Sequence, residues 1–155
     1  MFYIPKGRPS MHEVQKMEGM DGDATCQLRL YSRNVMIQKN SSLLPRWLRF
    51  VRGVVDCEDL PLNVSRELLQ DQALVSKLKQ TITGRVIKWF QDKAKRRPEE
   101  YNQFFKDYKM FMAQGVMEQD NPQQRDQLSK LLRFESSSKP AGEMTSLDDY
   151  SEVLK

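Results

Sequence analysis

Asn63, Arg66 and Gln70 are the side chains whose types and spacing bear most directly on chemistry. They fall in Pro61-Leu62-Asn63-Val64-Ser65-Arg66-Glu67-Leu68-Leu69-Gln70, a stretch whose composition says loop passing into helix. Near a helix start, two amides and a guanidinium make a donor-rich surface that suits a phosphate. A structural ion pair would use Arg66 equally well. Other constellations say less. His12 is the only histidine, with no partner at ligand spacing, so neither a metal site nor a nucleophile–base pair is readable from it. Arg46, Arg49 and Arg52 recur every third residue; as a helical ridge they could grip phosphate or simply face solvent. Lys93, Lys95, Arg96 and Arg97 could be a nuclear address or a nucleic-acid patch, yet cations are expected at any helix C-terminus. Asn40-Ser41-Ser42 and Asn63-Val64-Ser65 match the glycosylation pattern, which is common by chance and has no secretory signal beside it.

These residues need elements to hold them. Phe2-Tyr3-Ile4 reads as a strand end stopped by Pro5, and a strand there with no partner before it suggests a domain that begins upstream. Missing upstream strands would leave a sheet edge open. Gly7, Pro9, Gly19 and Gly22 mark a loop with one helical turn near Met11 to Met17. Gln27 to Tyr31 alternates polar and apolar, and Val35-Met36-Ile37 follows after three residues, giving a hairpin or one bent strand. Pro45 opens a short helix with Trp47, Leu48, Phe50 and Val51 inside and Gly53 at its end, and Val54-Val55 reads as a buried strand.

From Ala73 the pattern turns helical. Leu74, Leu78, Ile82, Val86 and Phe90 recur at spacing four, with Gly84 inside the stripe. Pro98 starts a second helix with Tyr101, Phe104, Phe105, Tyr108, Phe111 and Met112 inward and Gly115 as its cap. Asn121-Pro122 starts a third helix, carrying Leu128, Leu131 and Leu132. Ser136 to Gly142 reads as a linker, and Ser146 with Asp149 as a capping-box pair ahead of Leu147, Tyr150 and Val153. The organisation is α/β to about residue 97, then helical.

Composition bounds the function. Of 155 residues, 39% are apolar and 30% charged, which suits amphipathic helices and offers no run of ~20 apolar residues for a spanning helix. No secretory signal is readable at the start. A net charge of +4 permits but does not require attraction to phosphates. Two cysteines, Cys26 and Cys57, make no disulfide framework and fit a reducing compartment.

The run Leu48-Arg49-Phe50-Val51-Arg52-Gly53-Val54-Val55-Asp56, followed by Glu58-Asp59-Leu60 and the stretch from Pro61 to Gln70, resembles the signature of the ninety-kilodalton heat-shock chaperones. Leu30-Tyr31-Ser32-Arg33, Lys130-Leu131-Leu132-Arg133-Phe134 and Thr145-Ser146-Leu147 with Tyr150 extend the resemblance from Phe2 to Tyr150. Val35-Met36-Ile37-Gln38, Phe104-Phe105-Lys106-Asp107-Tyr108 and Arg133-Phe134-Glu135-Ser136-Ser137 are similar to the family's mitochondrial branch, with the bacterial branch as a competitor.

The resemblance implies an α/β fold: part of an α/β/α sandwich followed by a three-helix coil. Residues 1–97 would be the C-terminal portion of a large α/β/α middle subdomain, 98–134 the three-helix coil, and 135–155 a linker and first helix leading to a small α/β/α subdomain. It also implies a split ATPase, inactive in this piece alone. ATP with Mg would be bound mainly by a separate N-terminal ATPase domain, and a C-terminal domain would make the homodimer. Arg66 would be the catalytic-loop arginine that reaches the γ-phosphate, with Asn63 and Gln70 contacting ATP or positioning the loop. Met36, where relatives carry a larger or branched apolar residue, would contact client proteins or be a buried strand residue. Co-chaperones are further partners; nucleic acid and membrane insertion are not expected. The location implied is the mitochondrial matrix, or the cytoplasm for a bacterial-type relative. The alternative function is a client or co-chaperone interaction module with no ATPase role. Three departures from the family pattern are Asn34 in place of the second arginine of an Arg-Arg pair, Cys57 where Ser is common, and Arg46 at a variable position.

Overall fold

The computed structural model describes residues 1–18, 27–38, 43–58 and 72–153. The fold is mixed α/β, the class the sequence implies. Two compact units are present, Met1–Thr83 and Gly84–Lys155.

The first unit is built on a four-stranded sheet of β1 (Phe2–Tyr3), β2 (Leu28–Ser32), β3 (Val35–Gln38) and β4 (Arg52–Asp56), in the order β1-β4-β2-β3. The strand at the start of the chain finds its partner some fifty residues later: β1 runs antiparallel to β4, Phe2 opposite Gly53. β4 runs parallel to β2, with Leu28 opposite Gly53 and Tyr31 opposite Asp56. Gly53 therefore sits in a strand and does not end a helix. A Cβ there would lie 2.3 Å from the Met1 carbonyl oxygen and 3.1 Å from the Phe2 Cα, so close backbone approach demands glycine.

β2 and β3 form a hairpin whose two-residue turn is Arg33-Asn34, Ser32 pairing with Val35. Both turn residues have positive φ, 48° and 66°. That mirror-image geometry matches the strand twist, and asparagine tolerates it better than arginine does. The departure at Asn34 thus has a local backbone reason.

Between β3 and β4, Arg46–Leu48 forms a 3₁₀ turn, not the short helix expected. Its bonds close every third residue: Leu48 N–H to Pro45 O (2.9 Å) and Val51 N–H to Leu48 O (2.9 Å). Trp47, Leu48, Phe50 and Val51 are buried, as their pattern requires, and join Leu28, Leu30, Leu43 and Leu44 in the core of this unit. β4 is a strand as expected, but Val54 faces out and Val55 is half-buried. Ahead of β2, α1 (Met11–Glu18) starts from a capping box that the sequence reading missed. The Ser10 N–H and Oγ donate to Glu13 Oε2 (2.8 and 3.0 Å), and the Glu13 N–H donates back to Ser10 Oγ (3.2 Å). The Ser10 backbone bond first, then its hydroxyl, holds the Glu13 carboxyl below its usual range.

Helix α2 (Gln72–Arg96) carries the expected stripe, with Ile82, Val86, Ile87 and Phe90 buried. In the second unit its end packs on α3 (Pro98–Glu118) through a run of rings: Phe90 stacks on Phe104 at 5.2 Å, and Phe104 on Tyr108 at 5.2 Å. Pro98 occupies the first turn, where its missing N–H costs nothing. Gly115 is buried inside α3 and is not its cap; the helix continues to Glu118, and the Gly115 carbonyl accepts from the Gln119 N–H (3.0 Å). Asn121 caps α4 (Pro122–Ser129) by accepting the N–H groups of Gln123 and Gln124 (3.0 and 3.2 Å). Leu131 and Leu132 lie in the turn beyond α4.

The stretch read as a linker is the loop of a second, small hairpin. It joins β5 (Phe134–Glu135) to β6 (Met144–Thr145), and Lys139–Glu143 (3.1 Å) is an ion pair within it. Before α5 (Leu147–Val153), the expected box is present: Ser146 Oγ donates to Asp149 Oδ2 (2.7 Å) and the Asp149 N–H donates to Ser146 Oγ (3.1 Å). The Ser146 hydroxyl is the main cause that holds the Asp149 carboxyl below its usual range.

Candidate functional site

Asn63, Arg66 and Gln70 lie outside the described residues. What the structure supplies are the elements on either side. β4 delivers the chain to Cys57 and Glu58, with the Cys57 N–H donating to the Tyr31 carbonyl (3.0 Å), so the parallel β2–β4 register fixes where the segment leaves the sheet. The chain is helical again from Gln72.

Met36 is described. It lies on β3, an outer strand of the sheet among the described residues, and is 44% exposed, with the preceding Val35 at 53%. The buried-residue reading of Met36 is therefore set aside. Consecutive strand residues point to opposite faces of a sheet, so Met36 offers its flexible thioether as an adaptable apolar contact on one face and Val35 stands exposed on the other.

The three arginines expected as a ridge are not brought together on one helix. Arg46 is exposed at the start of the 3₁₀ turn. Arg49 is only 6% exposed and turns inward to donate from Nη1 to the Arg46 carbonyl (3.1 Å). Arg52 stands on β4 opposite Tyr3. A phosphate-gripping row does not survive this arrangement, because a 3₁₀ turn passing into a strand has no common face at spacing three.

Cations at the α2–α3 junction are tied to one carboxylate. Lys93 Nζ and Arg97 Nη1 each reach Glu100, at 3.3 Å. The Lys93 bond is the first cause that lowers the Glu100 carboxyl below its usual range. This supports the helix-end reading of that cluster. Among the described residues, no cluster of three His, Cys, Asp or Glu could hold a metal, and no described helix is long and apolar enough to cross a membrane.

A feature that sequence reasoning missed joins α3 to the turn after α4. The buried Tyr101 hydroxyl donates to the Leu131 carbonyl (2.8 Å). The Arg133 guanidinium lies 5.0 Å from the Tyr101 ring centroid and donates to the Lys130 and Leu132 carbonyls (3.1 and 3.0 Å). Burial pushes the Tyr101 phenol far above its usual range, so it stays a donor. The only sequence signal was the pair of an inward Tyr and a basic residue after the leucines.

Comparison with known proteins covers the whole chain. Residues 1–155 match the profile of the family described as Hsp90 protein. Heat shock protein 75 kDa, mitochondrial, of Rattus norvegicus is 48% identical over 100% of this chain and 21% of its own length. The TNF receptor-associated protein 1 homolog, mitochondrial, of Dictyostelium discoideum is 40% identical over 100% of this chain and 21% of its own. Chaperone protein HtpG of Desulfitobacterium hafniense (strain Y51) is 40% identical over 100% of this chain and 24% of its own. The chain thus spans about a fifth to a quarter of the length of the relatives it matches.

Proposed function

The chain belongs to the Hsp90 family, and from that premise we propose that it is the middle portion of an ATP-dependent folding chaperone whose ATPase site Arg66 completes. Residues 1–97 are the later part of the large middle subdomain, 98–134 the helical coil, and 135–155 the lead into the next subdomain. ATP with its magnesium is held by a separate N-terminal domain, and the magnesium supplies charge neutralisation at the phosphates when bound. The Arg66 guanidinium reaches the γ-phosphate when the domains close. Charge on the transferring phosphoryl oxygens is stabilised there by a donor fixed in advance. Asn63 and Gln70 contact the nucleotide or hold the loop. Supplying the cation from a second domain couples hydrolysis to closure. The full protein is a homodimer, and its location is mitochondrial, as the names of two of the relatives say of them.

One observation carries this reading: the family match runs through the uninterrupted stretch from Pro61 to Gln70. Its test is ATP turnover and nucleotide binding of the full-length protein with Arg66→Ala. Turnover is expected to fall on the order of 10²-fold or more with binding retained. Unchanged turnover would make Arg66 structural.

A second reading, an interaction module for clients or co-chaperones, is favoured by the exposed Met36 on β3. On that reading, partner binding is indifferent to Arg66→Ala and falls with Met36→Asp.

A further inference from the structure

Helix α3 holds three methionines in close succession with opposite environments. Met110 and Met117 are 71% and 86% exposed, whereas Met112, between them in sequence, is 0% exposed. Seven residues are nearly two helical turns, so Met110 and Met117 lie on one face, about 10.5 Å apart along the axis. Ala113, between them on that face, is also exposed. Nothing in the packing of the helical unit uses these two side chains. The inward face of α3 is already filled by Tyr101, Phe105, Tyr108, Phe111 and Met112.

We propose that Met110 and Met117 form a surface site for reversible oxidation by hydroperoxides. The chemistry belongs to the accessible thioether. A sulfur lone pair attacks one peroxide oxygen and an S–O bond forms as the O–O bond breaks. The departing oxygen takes the proton and leaves as water, or as an alcohol from an organic hydroperoxide. Sulfur loses two electrons and the peroxide gains them. A thiol-dependent sulfoxide reductase reverses the change at the expense of a disulfide. Solvent exposure makes the product inexpensive to the fold, since the new S=O dipole points into water. The same event at Met112 would place that dipole in the core. α3 therefore carries its own internal reference.

The test uses the full-length protein, titrated with hydrogen peroxide, with oxygen incorporation at each methionine read by peptide mass spectrometry. Met110 and Met117 are expected to oxidise on the order of tenfold or more faster than Met112. The thermal midpoint should hold while they do, and a methionine sulfoxide reductase with a dithiol should restore both. The double variant Met110→Leu/Met117→Leu should lose two early oxygen additions and keep its fold. Three results would overturn the proposal. One is protection of both residues to the level of Met112, which would mean that another part of the full-length protein covers this face. The others are failure of the reductase to restore them and unchanged oxygen uptake in the double variant.

Discussion

The two compact units hold together by different means. In the first, an apolar core around Trp47 and Phe50 is joined by close contacts between backbones: β4 is flanked by β1 on one side and β2 on the other, and Gly53 sits where the Met1 carbonyl leaves no room for a Cβ. In the second, side chains decide, through the ring stack from Phe90 to Phe111 and the Tyr101–Leu131 bond. The contrast is sharpest at two glycines. At Gly53 the missing side chain is a requirement. At Gly84, on α2, an added Cβ would meet only the end of the flexible Gln124 side chain, at 3.3 Å. A glycine in a sheet reports on its neighbours' backbones, whereas a glycine on a helix can be a mere omission.

Substitutions can break or sharpen that comparison. Gly53→Ala has the largest expected effect on stability, a loss of about 2–3 kcal/mol by overpacking, measured by denaturant unfolding. A neutral result would show that β1 can move aside. Tyr101→Phe should cost about 1–2 kcal/mol, because the buried Leu131 carbonyl loses its donor. An effect near zero would shift the weight of the joint to Arg133. Gly84→Ala should act in the opposite sense to Gly53→Ala, stabilising by up to ~1 kcal/mol through helix propensity. Destabilisation there would mean that Gln124 cannot yield. The smallest effect is that of pH at α5. The Asp149 carboxyl is held below its usual range by Ser146, so its contribution is full above that range and is lost as the pH falls through the lowered value. Amide exchange at Asp149 and Tyr150 in an acid series would follow it, and Ser146→Ala should remove the dependence.

Much of the helical unit was legible in the sequence because its signals are local. The spacing-four stripe of α2, Pro98 in the first turn of α3, the Asn121 cap and the Ser146–Asp149 box all lie within a few residues of what they determine. Gly115 misled because a glycine past an apolar run looks the same in sequence whether it ends a helix or fills a tight place inside one. The sheet unit was less legible. That Phe2 pairs with Gly53 depends on residues far apart in the chain, and no period announces it. The arginine spacing at 46, 49 and 52 imitated a helix because a 3₁₀ turn also repeats every three residues. The Ser10–Glu13 box was in plain view but stands before a short polar helix with no apolar run to mark it. Of the candidate site, the sequence named the residues through their resemblance to a family, while the structure contributes the β4 exit and the exposed Met36 edge.

The strand order also separates a pairing closed locally from pairings closed over long loops. The β2–β3 hairpin closes over two residues, so it can form in roughly 1–10 μs without waiting for the rest of the chain. Parallel pairing of β4 with β2 must close over the intervening segment, and pairing of β1 with β4 closes over a longer one, each at a cost in loop entropy. Among the described residues, β1 and β3 flank the sheet on its two sides, one held by a pairing across some fifty residues and the other by a local turn. Arg33 and Asn34, at that turn, close the shortest loop in the sheet among the described residues, so changes there cost least in chain entropy and most in backbone strain.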